Sequence, residues 1–509
     1  MVTVECVLAI DLGTGGPKVA VVAPEGGVLA WSSRPVATRF IGDRGAEQDP
    51  EEMWSAVVAA THDTVGRLTG GGTARASFAA VAVTSQYMSV VPVAADGRPT
   101  GPCILWMDTR GAAHNRQLLS DLANDESTAL FLERHGLIPL PGGSDNVAHI
   151  AALREHHPDA YAAAVAFVEP MDYLAARLTG TVGATQSTMF GQLVCDNRIW
   201  GATAYDPELV AATRLDPDKL PPLRPMNGFV GELRSDVAAE LGVVAGIPVA
   251  VPTIDSITSA IGTGAIDATR GSVVIGTTSV VVSHVGDHRC DIRSGLLGVP
   301  SPLPGQYFVM AENGVGGRAL EWAATLFGHP DGRADGLAGA VSAAESSSVG
   351  SNGVGFMPWL LGSIAPRPDG NVRAAFTGLA LHHRRDDLFR AVLEGVALNL
   401  AWLLPAVERF VGNPFTHVGF GGGAAQSDLW AQILADALDR PVHQFADPRT
   451  ANAVGAAFLA FADLGRLSIA DVPSLLRVHR VYESRQEYRA VMDDALGRLI
   501  ELHGTLRAK

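Results

Sequence analysis

Cysteine is scarce and scattered. The 509 residues include four, Cys6, Cys103, Cys195 and Cys290, with no C-x-x-C pair among them. That spacing excludes a zinc ribbon, a redox dithiol motif and a dense disulfide scaffold. The 15 histidines include the doublets His156-His157 and His382-His383 but no H-E-x-x-H or other spaced ligand set, so a zinc site has no sequence support. Long hydrophobic runs are also missing. The longest, near Val396–Val407, contains Asn399 and Pro405 and falls short of the roughly 20 residues a bilayer span needs. The apolar start, Met1–Ile10, is interrupted by Glu5 and carries no basic flank or small-residue cleavage site, so it reads as part of the fold. Positive charge is in deficit: 38 Lys+Arg face 53 Asp+Glu, a net charge of −15. A field of that sign repels nucleic acid and anionic membranes at long range, while leaving room for a local pocket that binds a small anion. The expectation is a cytoplasmic protein with neither nucleic acid nor membrane as partner.

Hydrophobic residues make up 47% and charged residues 18%, an ordinary globular balance, and the length suggests two to three domains. The 56 glycines and 30 prolines follow no G-x-y period and punctuate the chain instead. Val4–Ile10, Lys18–Val22 and Val28–Ser32 read as an antiparallel meander opened by the glycine-rich turn Asp11–Pro17. A helix follows at Asp49-Pro50-Glu51-Glu52, with Asp49 as cap, Pro50 at the first helical position and Glu52 completing a capping box. Phe78–Val83, Val90–Val93 and Gly101–Trp106 look like strands, and Asn146–Gly180 reads as helical. The run Ile247–Val251 leads to Asp255 and a small-residue helix, Ser256–Ile261. The opening then repeats: Ser272–Ile275, the turn Gly276–Ser279 and Val280–His284 form a second strand–turn–strand unit. A helix at Gly317–Phe327, a Pro/Gly loop at Pro358–Gly370 and a long helix at Arg385–Phe410 follow. Two Gly/Thr hairpins half a chain apart point to an internal duplication around a shared nucleotide cleft, divided near residues 262–272.

Three positions carry the chemistry. Asp11 ends a buried strand ahead of Thr14, Gly15 and Lys18. Backbone amides in such a turn can cradle phosphate, with Lys18 neutralising charge and Asp11 reaching it through Mg²⁺. The alternative is a type I′ turn with an Asx hydrogen bond. Asp255, between a buried strand and a helix, is either an N-cap or a general base at the carboxyl end of a strand. Gly419-Phe420-Gly421-Gly422-Gly423-Ala424 fits G-x-G-x-x-A between strand Thr416–Phe420 and helix Gln426–Leu438. Its place about 90 residues from the C-terminus is wrong for a dinucleotide domain, and the glycines can instead face an adenine ring. Gln86-Tyr87-Met88 and Trp106–Arg110 sit at strand ends; Asp108 and Arg110 are either a surface ion pair or part of a sugar site.

These motifs together resemble the FGGY carbohydrate kinases, most closely the xylulokinase-type members, over about Val7–Leu464. The resemblance is carried by Ile10–Lys18 (IDLGTGGPK), Glu47–Trp54 (EQDPEEMW), Leu105–Arg110 (LWMDTR), Asp172–Gly180 (DYLAARLTG), Ile275–Ser279 (IGTTS) and Gly421–Asp436 (GGGAAQSDLWAQILAD). It implies an α/β fold of two ribonuclease-H-like domains of the actin/hexokinase/Hsp70 type, residues 1–264 and 265–509, flanking a cleft. It also implies ATP and Mg²⁺, a small sugar or polyol as substrate, and a homodimer. Asp255 would be the catalytic base and Asp11 would hold Mg²⁺ through water. Thr14, Gly15 and Lys18, with Gly276, Thr277 and Thr278, would meet the ATP phosphates. Gly422, Gly423, Ala424 and Ser427 would border adenosine. Gln86, Tyr87, Met88, Asp108, Asp255 and Ser256 would face the sugar. Two positions depart from the pattern: Tyr87-Met88-Ser89 stands where xylulokinase-type members carry Met-His-Gly, and Ser256 stands where Asn or Gln usually follows the base. The implied reaction is phosphorylation of a primary hydroxyl, with a D-xylulose-like ketopentose leading. The alternatives are a degenerate kinase that binds sugar or nucleotide as a sensor, and an NAD-dependent oxidoreductase.

Overall fold

β-branched and aliphatic runs broken by glycine turns build the same sheet twice. The computed structural model describes residues 2–71, 74–121, 125–327 and 334–507. The first sheet contains β1 (Val2–Gly13), β2 (Gly16–Val22), β3 (Val28–Ser33), β4 (Ala74–Ser85), β5 (Phe229–Glu232), β6 (Pro248–Ala250) and β7 (Thr253–Ile254), in the order 5-6-4-1-2-3 with β7 on the end of β4. The second contains β8 (Gly271–Ile275), β9 (Thr278–Val285), β10 (Cys290–Asp291), β11 (Leu296–Pro300), β12 (Tyr307–Val315), β13 (Val418–Gly421), β14 (Val442–Phe445) and β15 (Val478–Tyr482), in the order 10-11-12-9-8-13-14-15. In both, an antiparallel trio (β3-β2-β1, β12-β9-β8) continues into two parallel strands (β4-β6, β13-β14). This is the ribonuclease-H-like order, twice.

Helices cover the sheets. α1 (Pro50–Gly71) opens as expected, with Asp49 Oδ1 accepting from the Glu51 amide at 2.9 Å, but Glu52 is drawn to Arg39 at 3.0 Å instead of closing a capping box. α2 (Asp255–Gly262) and α3 (Gly317–Leu326) each follow a site strand. α4 (Arg385–Val411) carries Pro405 inside it. Among the described residues it is the one helix long and apolar enough to cross a membrane; its apolar side, including Phe389, Leu393, Val396, Leu400 and Val407, is buried in the second core. α5 (Asp428–Leu438) packs there too. α6 (Ala451–Asp463), though late in the chain, joins the first core through Ala453, Val454, Phe458 and Phe461. It crosses α2 so closely that a Cβ on Gly455 would lie 1.9 Å from the Thr258 carbonyl, and one on Gly262 would lie 2.0 Å from that of Ala451.

Two expected elements differ. The helical reading of 146–180 is interrupted by the strand Ala166–Val168, which pairs with Val91–Val93; Pro158 and Pro170 restart the helices on either side. The strand expected at Gly101–Trp106 shrinks to Cys103–Ile104.

Candidate active site

Register brings the key carboxylates together. β1 and β4 run parallel with Asp11 beside Thr84 and Leu12 beside Ser85, and β7 sets Thr253 and Ile254 beside the same two residues. Three carboxyl ends therefore meet, presenting Asp11, Gln86 and Asp255 at one edge, where open α/β sheets place ligands. Hairpin pairing puts Lys18 opposite Asp11, and its Nζ lies 3.2 Å from Oδ2. From α6, Asn452 Nδ2 donates to Oδ1 at 3.4 Å. The Asp11 charge holds the Lys18 ammonium above its ordinary pKa.

Asp255 is the first residue of α2; Ile254 occupies the N-cap position without a side-chain cap. The N-cap reading is thus off by one residue, and the carboxylate is left to the cleft, touched by Ser256 Oγ at 3.2 Å. Burial, and then the neighbouring Asp11 charge, push Asp255 up to about 7, against the pull of Ser256 and Lys18. A carboxyl poised there is matched to proton transfer at neutral pH.

Both hairpin turns are open at their ends. A Cβ would meet nothing within 4 Å at Gly15 or Gly276. Gly16, with φ +120°, must be glycine, since its Cβ would fall 2.1 Å from the Arg34 carbonyl. Neither Thr14 nor Gly15 has positive φ, so the turn is not type I′, which requires it at both central residues. In the second turn, α3 amides bind the inner carbonyls (Gly317 N to Gly276 O, 2.8 Å; Gly316 N to Thr277 O, 3.0 Å), leaving Thr277 exposed. Gly422 at φ +84° lies across the end of β8, its absent Cβ 2.4 Å from the Ile275 carbonyl, beside open Gly423 and half-buried Ala424. Ser427 caps α5, its hydroxyl accepting from Trp430 N at 3.1 Å.

The sugar-side residues form a supported layer. Thr14 Oγ1 donates to Gln86 Oε1 at 2.6 Å and accepts from Trp106 Nε1 at 3.1 Å, tying the first hairpin to that layer. Gln48 braces both, donating to the Thr14 carbonyl at 2.7 Å and accepting from Gln86 Nε2 at 3.2 Å. Met88 sits at φ +57°, a strained value for a non-glycine residue. Buried Glu169 holds it there, accepting from the amides of Met88 and Ser89 at 3.0 Å each, and Asn146 Nδ2 donates to it at 2.7 Å. Tyr87 OH reaches Met310 Sδ of β12 at 3.6 Å; burial, then Glu312, Asp255 and Glu169, push its hydroxyl pKa up. Asp108 and Arg110 are not a surface pair. Asp108 is fully buried and accepts from Ala46 N at 2.8 Å, Arg110 N at 2.9 Å and Arg110 Nε at 2.8 Å, while Arg110 also binds Glu47 at 2.7 Å. With its oxygens so engaged, Asp108 shapes the loop that carries Trp106.

Sequence reading gave no site role to Asn452, Glu169 or Gln48, although Gln48 lies in the Glu47–Trp54 motif. Each reaches the site through hydrogen bonds to residues distant in sequence.

Comparison with known proteins fits this geometry. The model of the FGGY family of carbohydrate kinases, N-terminal domain, matches residues 6–262, and that of its C-terminal domain matches 271–464. The chain belongs to the FGGY family of carbohydrate kinases. An FGGY kinase is a phosphotransferase that acts on a sugar and draws its phosphoryl group from ATP. This chain is 26% identical to the xylulose kinase of Staphylococcus epidermidis over 487 residues (95% of this chain, 93% of that one) and 25% identical to the gluconokinase of Bacillus subtilis over 507 residues (95% and 94%). The solved xylulose kinase from Rhodospirillum rubrum superposes with a TM-score of 0.83 at 26% identity, covering 99% of both chains. The oxidoreductase reading falls. Gly419–Gly421 lie within β13, inside a mixed sheet, and a Cβ on Gly419 would lie 2.5 Å from Ser272 Oγ, so that glycine serves strand packing.

Proposed function

We propose that this FGGY kinase transfers the γ-phosphoryl group of Mg-ATP to a primary hydroxyl of a small ketose or polyol, with a D-xylulose-like ketopentose the leading candidate, in the cytoplasm. One observation carries the reading: Asp255, held near neutral pKa, stands beside the Asp11–Lys18 pair of the first Gly/Thr hairpin, and the second lobe carries a matching hairpin that is equally open at its turn. Asp255 orients the acceptor hydroxyl and takes its proton as the phosphoryl group arrives. Thr14, Gly15 and Lys18 on one side, and Gly276, Thr277 and Thr278 on the other, hold the phosphates, while Gly422, Gly423 and Ala424 border the adenosine. Gln86, Tyr87 and Met88 lie against the sugar.

Asp11 suits a water-mediated Mg²⁺. It is a buried carboxylate on the hairpin, beside Asp255, and the negative charge the two share is what a cation would offset. Bound there, the ion would neutralise phosphate charge. Retention of both acids disfavours the sensor reading. Asp255→Asn should lower kcat about 10³-fold with ATP affinity near normal. Full turnover in that variant would overturn the assignment of the base.

A further inference from the structure

Strand β12 presents two faces to two environments. Tyr307, Val309 and Ala311 are buried in the second core, whereas Phe308 and Met310, one residue out of phase, pack with the first. Glu312 continues the second series, since alternate residues of a strand share a face. It pairs with Val280 near the second hairpin turn, and Val280 also packs with the first core. Met310, two residues before it, takes the Tyr87 hydroxyl at 3.6 Å. The Glu312 side chain is half-buried and, among the described residues, makes neither a hydrogen bond nor an ion pair. A partly desolvated carboxylate without donors is costly, and the cost is recovered where a ligand brings them. The cation facing Asp255 is Lys18, which is held by Asp11.

We infer that Glu312 is a specificity-determining residue of the sugar site: from the second lobe it accepts hydrogen bonds from hydroxyls of a neutral ketose or polyol lying against Tyr87, and it turns away sugar acids. This rests on the kinase reading above. A neutral sugar supplies only O–H donors and acceptors. An aldonate would set a third carboxylate against Glu312 and Asp255, where the cation facing Asp255 is already held by Asp11, so like charges repel in a poorly solvated site. The inference separates this chain from gluconokinase relatives of similar identity.

The test is steady-state ADP release by the wild type, Glu312→Gln and Glu312→Ala, with D-xylulose, D-ribulose, glycerol, erythritol, xylitol and D-gluconate as acceptors and a melting curve for each protein. In the wild type, kcat/KM for the best neutral acceptor should exceed that for gluconate by about 100-fold or more. Glu312→Gln should raise the acceptor KM by about 10-fold, act little on kcat or on the KM for ATP, and narrow the gap to gluconate. Unchanged acceptor KM in both folded variants, or a wild-type preference for gluconate, would overturn the inference and leave the kinase reading standing. If the wild type turned over no acceptor, the kinase reading would fall and the inference with it.

Discussion

Replacing Asp255 with Asn should stabilise the fold while lowering turnover about 10³-fold, and the gain in stability should depend on pH. In the folded protein this carboxyl titrates near 7 instead of 3.8, chiefly through burial and secondly through Asp11. Between those values the folded state keeps a proton that the unfolded chain releases, so stability falls as pH rises through the window. The penalty is absent below about pH 4 and complete above about pH 7. A gap of about 3 pH units at ~1.4 kcal/mol each sets a ceiling of about 4 kcal/mol. Asn at the same place has no proton to lose. The advantage of Asp255→Asn should therefore grow by about 1 kcal/mol between pH 6 and pH 8, or about 2–4 °C in the melting temperature of the first lobe. Thermal melts of both proteins at the two pH values, without ligand, read this directly. A gain equal at both pH values, or a loss at pH 8, would refute a raised Asp255 and with it the electrostatic account of the base.

The same titration shapes catalysis: kcat/KM for the acceptor should fall tenfold per pH unit below about pH 7 as the base protonates, and a profile flat down to pH 5 would contradict it. Glu169→Gln removes one of the two carboxyl oxygens that hold the Met88 and Ser89 amides, so it should raise the acceptor KM by about 10-fold with ATP binding unchanged; an equal effect on both substrates would mean general loss of structure. Gly16→Ala forces a Cβ to 2.1 Å from a carbonyl oxygen at φ +120° and should cost about 3 kcal/mol or more, read as a lowered melting midpoint; a wild-type midpoint would show the hairpin to be more pliant than its geometry implies.

The parts of the site readable from sequence are those built by neighbours in the chain. The two hairpins announce themselves because β-branched runs flank glycine and threonine turns, and Asp11 and Asp255 follow buried runs directly. The rest depends on register and on long-range contacts. Asn452 comes to Asp11 across 441 residues on a helix that the second half of the chain contributes to the first core, and only the glycine crossing of α2 and α6 lets it approach. Glu169 reads as an ordinary residue before a proline, yet it supports the Tyr87–Ser89 loop from a strand–helix junction that a uniformly alanine-rich segment conceals. Asp255 looks like a cap because carboxylates at strand–helix junctions usually are; the helix begins one residue earlier than that pattern expects. Asp108 and Arg110, an apparent surface pair, are buried because the Ala46 amide and Glu47 close over them.

The central claim is that Asp255 serves as base for phosphoryl transfer to a neutral sugar. The most direct measurement is ADP release from Mg-ATP over the acceptor panel, with Asp255→Asn as the blank. The account predicts one neutral ketose or polyol raising turnover about 10³-fold above that blank. Equal rates from the two proteins with every acceptor would contradict it.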